Sequence, residues 1–248
     1  MSQALHIGLL LCHTFEPILK QVGGQDYSDI FRQQFLAIDR HICFTNFNAY
    51  AGELPESPDQ CDVWLVNGSP SGVYEDIEWI HQLRGFIEQL HVAKKPTFGI
   101  CFGHQLMAQV LGGQVEKSQQ GWGLGMSRNQ VVNHADYMQP KAQKVDVMVF
   151  HQDQVVKLPE GAQVQVSSEF CPNYMVQYNR HMLSIQGHPE FNTQIIKAVL
   201  LSDSFDGHPT VRAQGLANSA GTADSQLLFQ WIVNFYRQAL SHAEPMQK

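Results

Sequence analysis

The chain has 248 residues, of which 44% are hydrophobic and 16% charged, with a formal net charge of −7. That length suits one large domain or two small ones, with a core that needs neither disulfides nor a structural metal. The acidic balance disfavours a general nucleic-acid binder, and no apolar run reaches the ~18 residues a membrane span needs.

The elements follow in chain order. Leu5 to Cys12 is a short continuous apolar run, the pattern of a strand buried on both faces. Asp26 to Ile38 carries Tyr27, Ile30, Phe31, Phe35 and Ile38 at near-helical spacing. Ile42 to Phe47 and Cys61 to Val66 read as strands, the second ending in the turn Asn67-Gly68-Ser69-Pro70. Val73 to Ala93 reads as a helix, Pro96 to Ile100 as a strand, and Gln105 to Leu111 as a helix stopped by Gly112 and Gly113. This alternation predicts an α/β fold: a mostly parallel open sheet with helices on both faces. Lys144 to Phe150, Gln163 to Ser168, Tyr174 to Gln177 and Met182 to Gln186 read as short strands, some antiparallel. Phe191 to Leu201 and Gln226 to Leu240 read as helices. Residues 202–225, rich in Gly, Ser, Asp and Ala, read as a loop excursion between them. No repeat or boundary divides the chain, so residues 1–248 are expected to form a single domain.

The five cysteines (Cys12, Cys43, Cys61, Cys101 and Cys171) are odd in number and widely spaced, with no CxxC pair. With no secretion signal, they are expected to be free thiols in a soluble cytoplasmic protein with no membrane partner. Four of them read as small buried hydrophobes. Cys101 differs, because Gly99-Ile100-Cys101-Phe102-Gly103 follows a strand and opens a helix. G-x-C-x-G is the nucleophile-elbow pattern with Cys in place of Ser. A sharp strand-to-helix turn puts the nucleophile in a strained backbone conformation at the carboxyl edge of the sheet, and the flanking glycines remove clashes. The helix dipole beneath stabilises a thiolate, and the N–H of Phe102 points where an oxyanion forms. A plain buried cysteine in a glycine-rich turn is the competing explanation.

A nucleophilic cysteine needs a base and a group that orients the base. In Gln186-Gly187-His188-Pro189-Glu190-Phe191, His188 and Glu190 are two apart, which puts both side chains on one side of an extended chain. Pro189 biases His188 towards that geometry. Glu190 can then hold His188 in the tautomer that accepts the Cys101 proton. Taken alone, His188 would pass for a surface histidine and Glu190 for a residue near a helix N-terminus. Other histidines, among them His104, His134 and His181, are scattered with no HxxxH or HExxH spacing, so no metal site and no cofactor are expected.

Together, GICFGHQ around Cys101 and QGHPEF around His188 resemble the class I (triad) glutamine amidotransferases, in the manner of the amidotransferase domain of GMP synthase and its stand-alone relatives. Val66-Asn67-Gly68-Ser69-Pro70 resembles the family's oxyanion strand. Gly121-Trp122-Gly123 and Phe150-His151-Gln152-Asp153 fall where the family has its G-W/F-G and S/W-H-x-D segments. The resemblance covers about residues 5–200. It implies a flavodoxin-like fold with a small antiparallel addition. It makes Cys101 the nucleophile that forms a thioester with a γ-glutamyl group, His188 the base and then the acid, and Glu190 the group that orients His188. The oxyanion hole would use N–H groups of Phe102 and Ser69, with Gly68 as the alternative donor. Gln105 would contact substrate, and Gly123, His151 and Asp153 would lie along the pocket. Ser69 departs from the family's usual glycine, which is tolerable if its φ is negative.

Three functions stay open. The first is a stand-alone hydrolase of a small-molecule γ-glutamyl amide, glutamine or a γ-glutamyl peptide. The second is a glutaminase subunit delivering ammonia to a separate synthetase partner, since no P-loop or ATP-pyrophosphatase segment is found in the chain. The third is a non-catalytic module on the same fold, against which the presence of Cys101, His188 and Glu190 counts.

Overall fold

The computed structural model of the chain describes residues 4–22, 26–202 and 208–243. Five parallel strands form the half of the sheet that positions the site. They are β1 (His6–Leu10), β2 (Cys43–Phe47), β3 (Val63–Val66), β4 (Thr97–Ile100) and β11 (Met182–Ile185), lying in the order β2-β1-β3-β4-β11. The sheet continues antiparallel through β10 (Met175–Gln177), β9 (Gln163–Ser167), β6 (Gly123–Val131) and β7 (Lys144–His151). A separate antiparallel pair joins β5 (Gln114–Lys117) to β8 (Asp153–Lys157).

The inner strands are apolar on both faces because both faces are covered. Alternate residues feed opposite cores: Ile7, Leu9, Val63 and Leu65 enter one, and Leu10, Trp64 and Val66 the other. On the first face lie α2 (Tyr27–Ile38), α5 (Thr193–Leu201) and α7 (Ser225–Ala243), with Phe35 and Phe229 edge to face at 4.9 Å. The second face is covered by α3 (Glu78–Val92) and α4 (Phe102–Val110). Ile80, Leu83, Phe86, Ile87 and Leu90 of α3 are all buried, as their helical spacing requires. Among the described residues no helix is long and apolar enough to cross a membrane.

The structure departs from the sequence reading in identifiable places. The helix expected from Gln105 begins at Phe102, and the one expected from Val73 begins at Glu78. The stretch expected as a loop over 202–225 carries α6 (Pro209–Ala217), while residues 203–207 lie outside the described residues. This helix has no apolar stripe, and Gly215 is its one residue buried. Asn218 anchors its end to the sheet instead, donating from Nδ2 to the carbonyls of Leu124 and Met126 at 2.9 and 3.0 Å. A short α1 (Glu16–Gln21) and the strands β5, β6 and β8 also went unmarked in the sequence.

Candidate active site

Cys101 sits between β4 and α4 with φ 50° and ψ −98°, outside the conformations an L-residue ordinarily adopts. Two contacts hold it there. Its N–H donates to the Ile185 carbonyl at 2.9 Å, extending the β4–β11 pairing by one residue. The turn is also packed too tightly for side chains at its glycines. A Cβ on Gly99 would lie 2.6 Å from the Gly103 backbone, and one on Gly103 would lie 2.9 Å from Cβ of Val66. Cys101 caps α4, whose first N–H groups, that of Phe102 among them, have no acceptor within the helix.

The chain leaves β11 through Gln186 and Gly187 to His188, whose N–H donates to the Met148 carbonyl at 2.7 Å. That bond ties the end of this segment to β7. His188 and Glu190 are both buried, with Nδ1 of His188 2.7 Å from Oε1 of Glu190. The imidazole stacks on Phe191 next to the Cys101 thiol, whose sulfur lies 3.9 Å from the Phe150 carbonyl and 3.6 Å from Nε2 of Gln186. Burial alone pushes the proton affinity of the imidazole down. The Glu190 carboxylate and Cys101 outweigh that, and the His188 pKa is raised above the ordinary imidazole value. Oε1 of Glu190 accepts a second hydrogen bond, from the Tyr27 hydroxyl at 2.5 Å.

Cys101 opens onto a pocket of about 350 Å³. Ser69 to Gly72, Phe15, Ile18, Gln105, His151 and Asp153 are among the residues that line it. Gln105 donates from Nε2 to the Asp153 carbonyl at 2.9 Å and to Oε1 of Gln186 at 3.2 Å. Nδ1 of His151 lies 3.1 Å from the Asp153 carbonyl, so it carries the proton and leaves Nε2 as an acceptor. Burial pushes the pKa of His151 down to about 4, which keeps it neutral. Oδ2 of Asp153 accepts from Tyr74 at 2.9 Å.

Of the residues expected at the site, Cys101, Ser69, Gln105, His151 and Asp153 line this pocket, and His188 and Glu190 lie behind the thiol. Gly68 faces both Cys101 and His188: a Cβ there would be 2.7 Å from Cε1 of His188 and 3.6 Å from Cβ of Cys101. Ser69 has no positive φ; among the described residues other than glycine, only Phe15, Lys94 and Cys101 do. The Phe102 side chain points away and packs on Trp79, so the residue meets the site by its backbone alone. Gly123 does not line the cysteine pocket. It backs onto His151 and lines a neighbouring cavity that shares Trp122 with the first. Among the described residues no group of three or more His, Cys, Asp or Glu could hold a metal ion.

Three residues at the site were not anticipated. Gln186 donates from Nε2 towards the Cys101 sulfur at 3.6 Å, and its place beside His188 in the sequence was the available signal. Phe191 was read only as the start of a helix. Tyr27 was read only as a core position of α2, because its partner lies far away in the chain.

The family model described as "Glutamine amidotransferase class-I" matches residues 26–207. "Gamma-glutamyl peptidase 5" of Arabidopsis thaliana is 32% identical over 161 residues, covering 62% of this chain and 64% of that protein. One subunit of the glutamine-hydrolyzing GMP synthase of Archaeoglobus fulgidus is 34% identical over 130 residues, covering 52% of this chain and 66% of that one. The chain thus spans a little under two thirds of the length of these relatives. A crystal structure of a glutamine amidotransferase from Thermotoga maritima superposes with a TM-score of 0.74 at 19% identity, covering 96% of this chain and 99% of that one, and shares its fold.

Proposed function

Because the chain belongs to the class-I glutamine amidotransferase family, we propose that it hydrolyses a γ-glutamyl amide bond through a thioester on Cys101. The observation that carries this reading is His188, held between the Glu190 carboxylate at 2.7 Å and the thiol at the strained elbow. The Cys101 thiolate attacks the γ-carbonyl carbon, and the carbonyl oxygen becomes an oxyanion. The N–H groups of Phe102 and of Ser69 or Gly68 receive that charge. The tetrahedral adduct collapses to the thioester as the His188 imidazolium gives its proton to the departing amine. The now neutral His188 takes a proton from water, whose oxygen attacks the thioester. The adduct collapses to the γ-carboxylic acid, which leaves and gives its proton to solvent, and the sulfur is restored as thiolate beside imidazolium. Glu190 stabilises that cation and fixes its tautomer. Within the pocket, the oxygens of Asp153 are acceptors suited to the donor's α-ammonium, with Gln105 and His151 fixing the Asp153 backbone and Gly123 packed behind His151.

A relative named as a γ-glutamyl peptidase supports hydrolysis by the chain alone, with the choice of donor set beyond the scissile amide. A relative named as a subunit of GMP synthase supports the second reading, ammonia delivery to a separate synthetase. The test is ammonia release from glutamine alongside cleavage of glutathione by the purified protein, with Cys101→Ala as control. Turnover of either donor that requires Cys101 supports the hydrolase. Rapid alkylation of Cys101 without turnover of either favours the ammonia-delivery reading. An inert Cys101 overturns both.

A further inference from the structure

The Glu190 side chain is wholly buried, with 0% exposure. A carboxylate removed from water keeps its charge only where donors replace the lost solvent. Among the described residues two donors do so, His188 at 2.7 Å and Tyr27 at 2.5 Å, and both bond the same oxygen, Oε1. Oε2 is buried without a hydrogen-bond partner. The remaining titratable groups nearby are Cys12 at the end of β1, Cys101 at the elbow and His151 at the end of β7; none bonds the carboxylate. Burial holds Cys12 as a neutral thiol and His151 as a neutral imidazole.

We propose that Tyr27 is a positioning residue for the reaction: its hydroxyl fixes the Glu190 carboxylate through Oε1, and through Glu190 it holds the His188 ring beside Cys101. The inference rests on the reading that His188 is the base. Tyr27 is well placed for such a role. It opens α2, its own pKa is raised by burial and by Glu190, and it therefore stays a donor. Its ring is gripped by Phe15 and Phe31, each with centroids 5.1 Å away, and by Phe191 at 6.1 Å. Phe191 is also the ring on which His188 stacks, so Tyr27 reaches the imidazole through a hydrogen bond and through packing. Tyr27→Phe removes the first route and leaves the second.

The experiment needs no substrate. Alkylation of Cys101 by iodoacetamide is followed across pH by peptide mass in the wild type, Tyr27→Phe, Glu190→Gln and the double variant. Without the hydroxyl, the Glu190 carboxylate is held at Oε1 by His188 alone and can turn away from it, so the imidazolium loses its fixed counter-charge. The midpoint of Cys101 reactivity is therefore expected to move up by about one pH unit in Tyr27→Phe, as loss of a charged hydrogen bond implies. In the Glu190→Gln background Tyr27→Phe should add no further shift. An unchanged profile in folded Tyr27→Phe, or an equal extra shift in the double variant, would overturn the inference while leaving the reaction standing. A wild-type Cys101 with no enhanced reactivity would overturn the reaction and this inference with it.

Discussion

The imidazole of His188 lies flat on the ring of Phe191, with centroids 4.3 Å apart and planes 5° apart. The hydrogen bond to Glu190 sets the ring's rotation, and the stack sets its plane. The face of Phe191 carries negative charge density, so it favours the cation over the neutral base. Phe191→Leu keeps the apolar volume and loses that face. A buried cation–π contact of this kind corresponds to a fall in kcat of about tenfold, with KM little changed. Steady-state kinetics on a γ-glutamyl donor check this, and an unchanged kcat would show the stack to be packing alone.

Cys101 ties chemistry to strain. Cys101→Ala should abolish turnover while retaining the positive φ of 50° and its cost, which is of order 1–3 kcal/mol. Cys101→Gly should be equally inactive but more stable, because glycine adopts that conformation freely. On a chain of this size the gain corresponds to a melting temperature about 3 °C or more above that of Cys101→Ala. Equal melting temperatures would mean the elbow relaxes once the sulfur is gone.

Gly68 is predicted to be intolerant of a single methyl group. Gly68→Ala places a carbon 2.7 Å from Cε1 of His188, inside van der Waals contact, and the imidazole must move. A displacement approaching 1 Å at a reacting group costs about 100-fold in rate. Circular dichroism should show an intact fold. Full activity in this variant would place the productive position of His188 elsewhere.

The rate should persist well above neutrality. The pKa of His188 is raised, so the imidazolium survives where a free imidazole has lost its proton. The alkaline limb of kcat/KM should then lie clearly above the ordinary histidine value of about 6.5. A limb at that ordinary value would show that Glu190 and Cys101 do not hold the cation.

Stability should fall on mild acidification. Burial pushes the pKa of His104 down to about 3 and that of His151 to about 4. The unfolded chain binds these protons near pH 6.5, so the stabilising effect is full above that value and is lost as pH falls towards the folded values. His188, with a raised pKa, has the opposite sign and contributes a constant amount below pH 6.5. Unfolding by urea at pH 7 and pH 5 should therefore show uptake of up to about two protons at the lower pH. His151→Asn should roughly halve that uptake, and an unchanged pH dependence would refute the assignment.

The parallel half of the fold and the segments that bring Cys101, His188 and Glu190 together were legible for one reason. Buried strands and the turns after them are written in short contiguous runs, as in Phe98 to Gly103 and Gln186 to Phe191. What failed to show depends on partners distant in sequence. Gly123 to Val131 mixes Gly, Ser, Arg and Asn and becomes a strand because β7 pairs with it along its whole length. Pro209 to Ala217 lacks a periodic apolar face and is held at its end by Asn218. Tyr27 reads as core because a phenol buried beside a carboxylate has the same pattern as a phenol buried among leucines. Its role is visible only once Glu190 is brought to it.

Cys101 directly follows β4 and His188 follows β11 by three residues, pinned to Met148 of β7; β4 and β11 are neighbours in the sheet although far apart in the chain. The proximity of Cys101 and His188 therefore follows from the pairing of adjacent strands, about 4.8 Å apart, and from the bond to β7, and not from the length of chain that joins them. That intervening chain supplies Trp122, His151 and Asp153, which shape the pocket. Insertions and exchanges there can redraw what the protein accepts while the distance between sulfur and imidazole stays the same. The lining of the pocket and the reach from sulfur to imidazole thus belong to different parts of the chain.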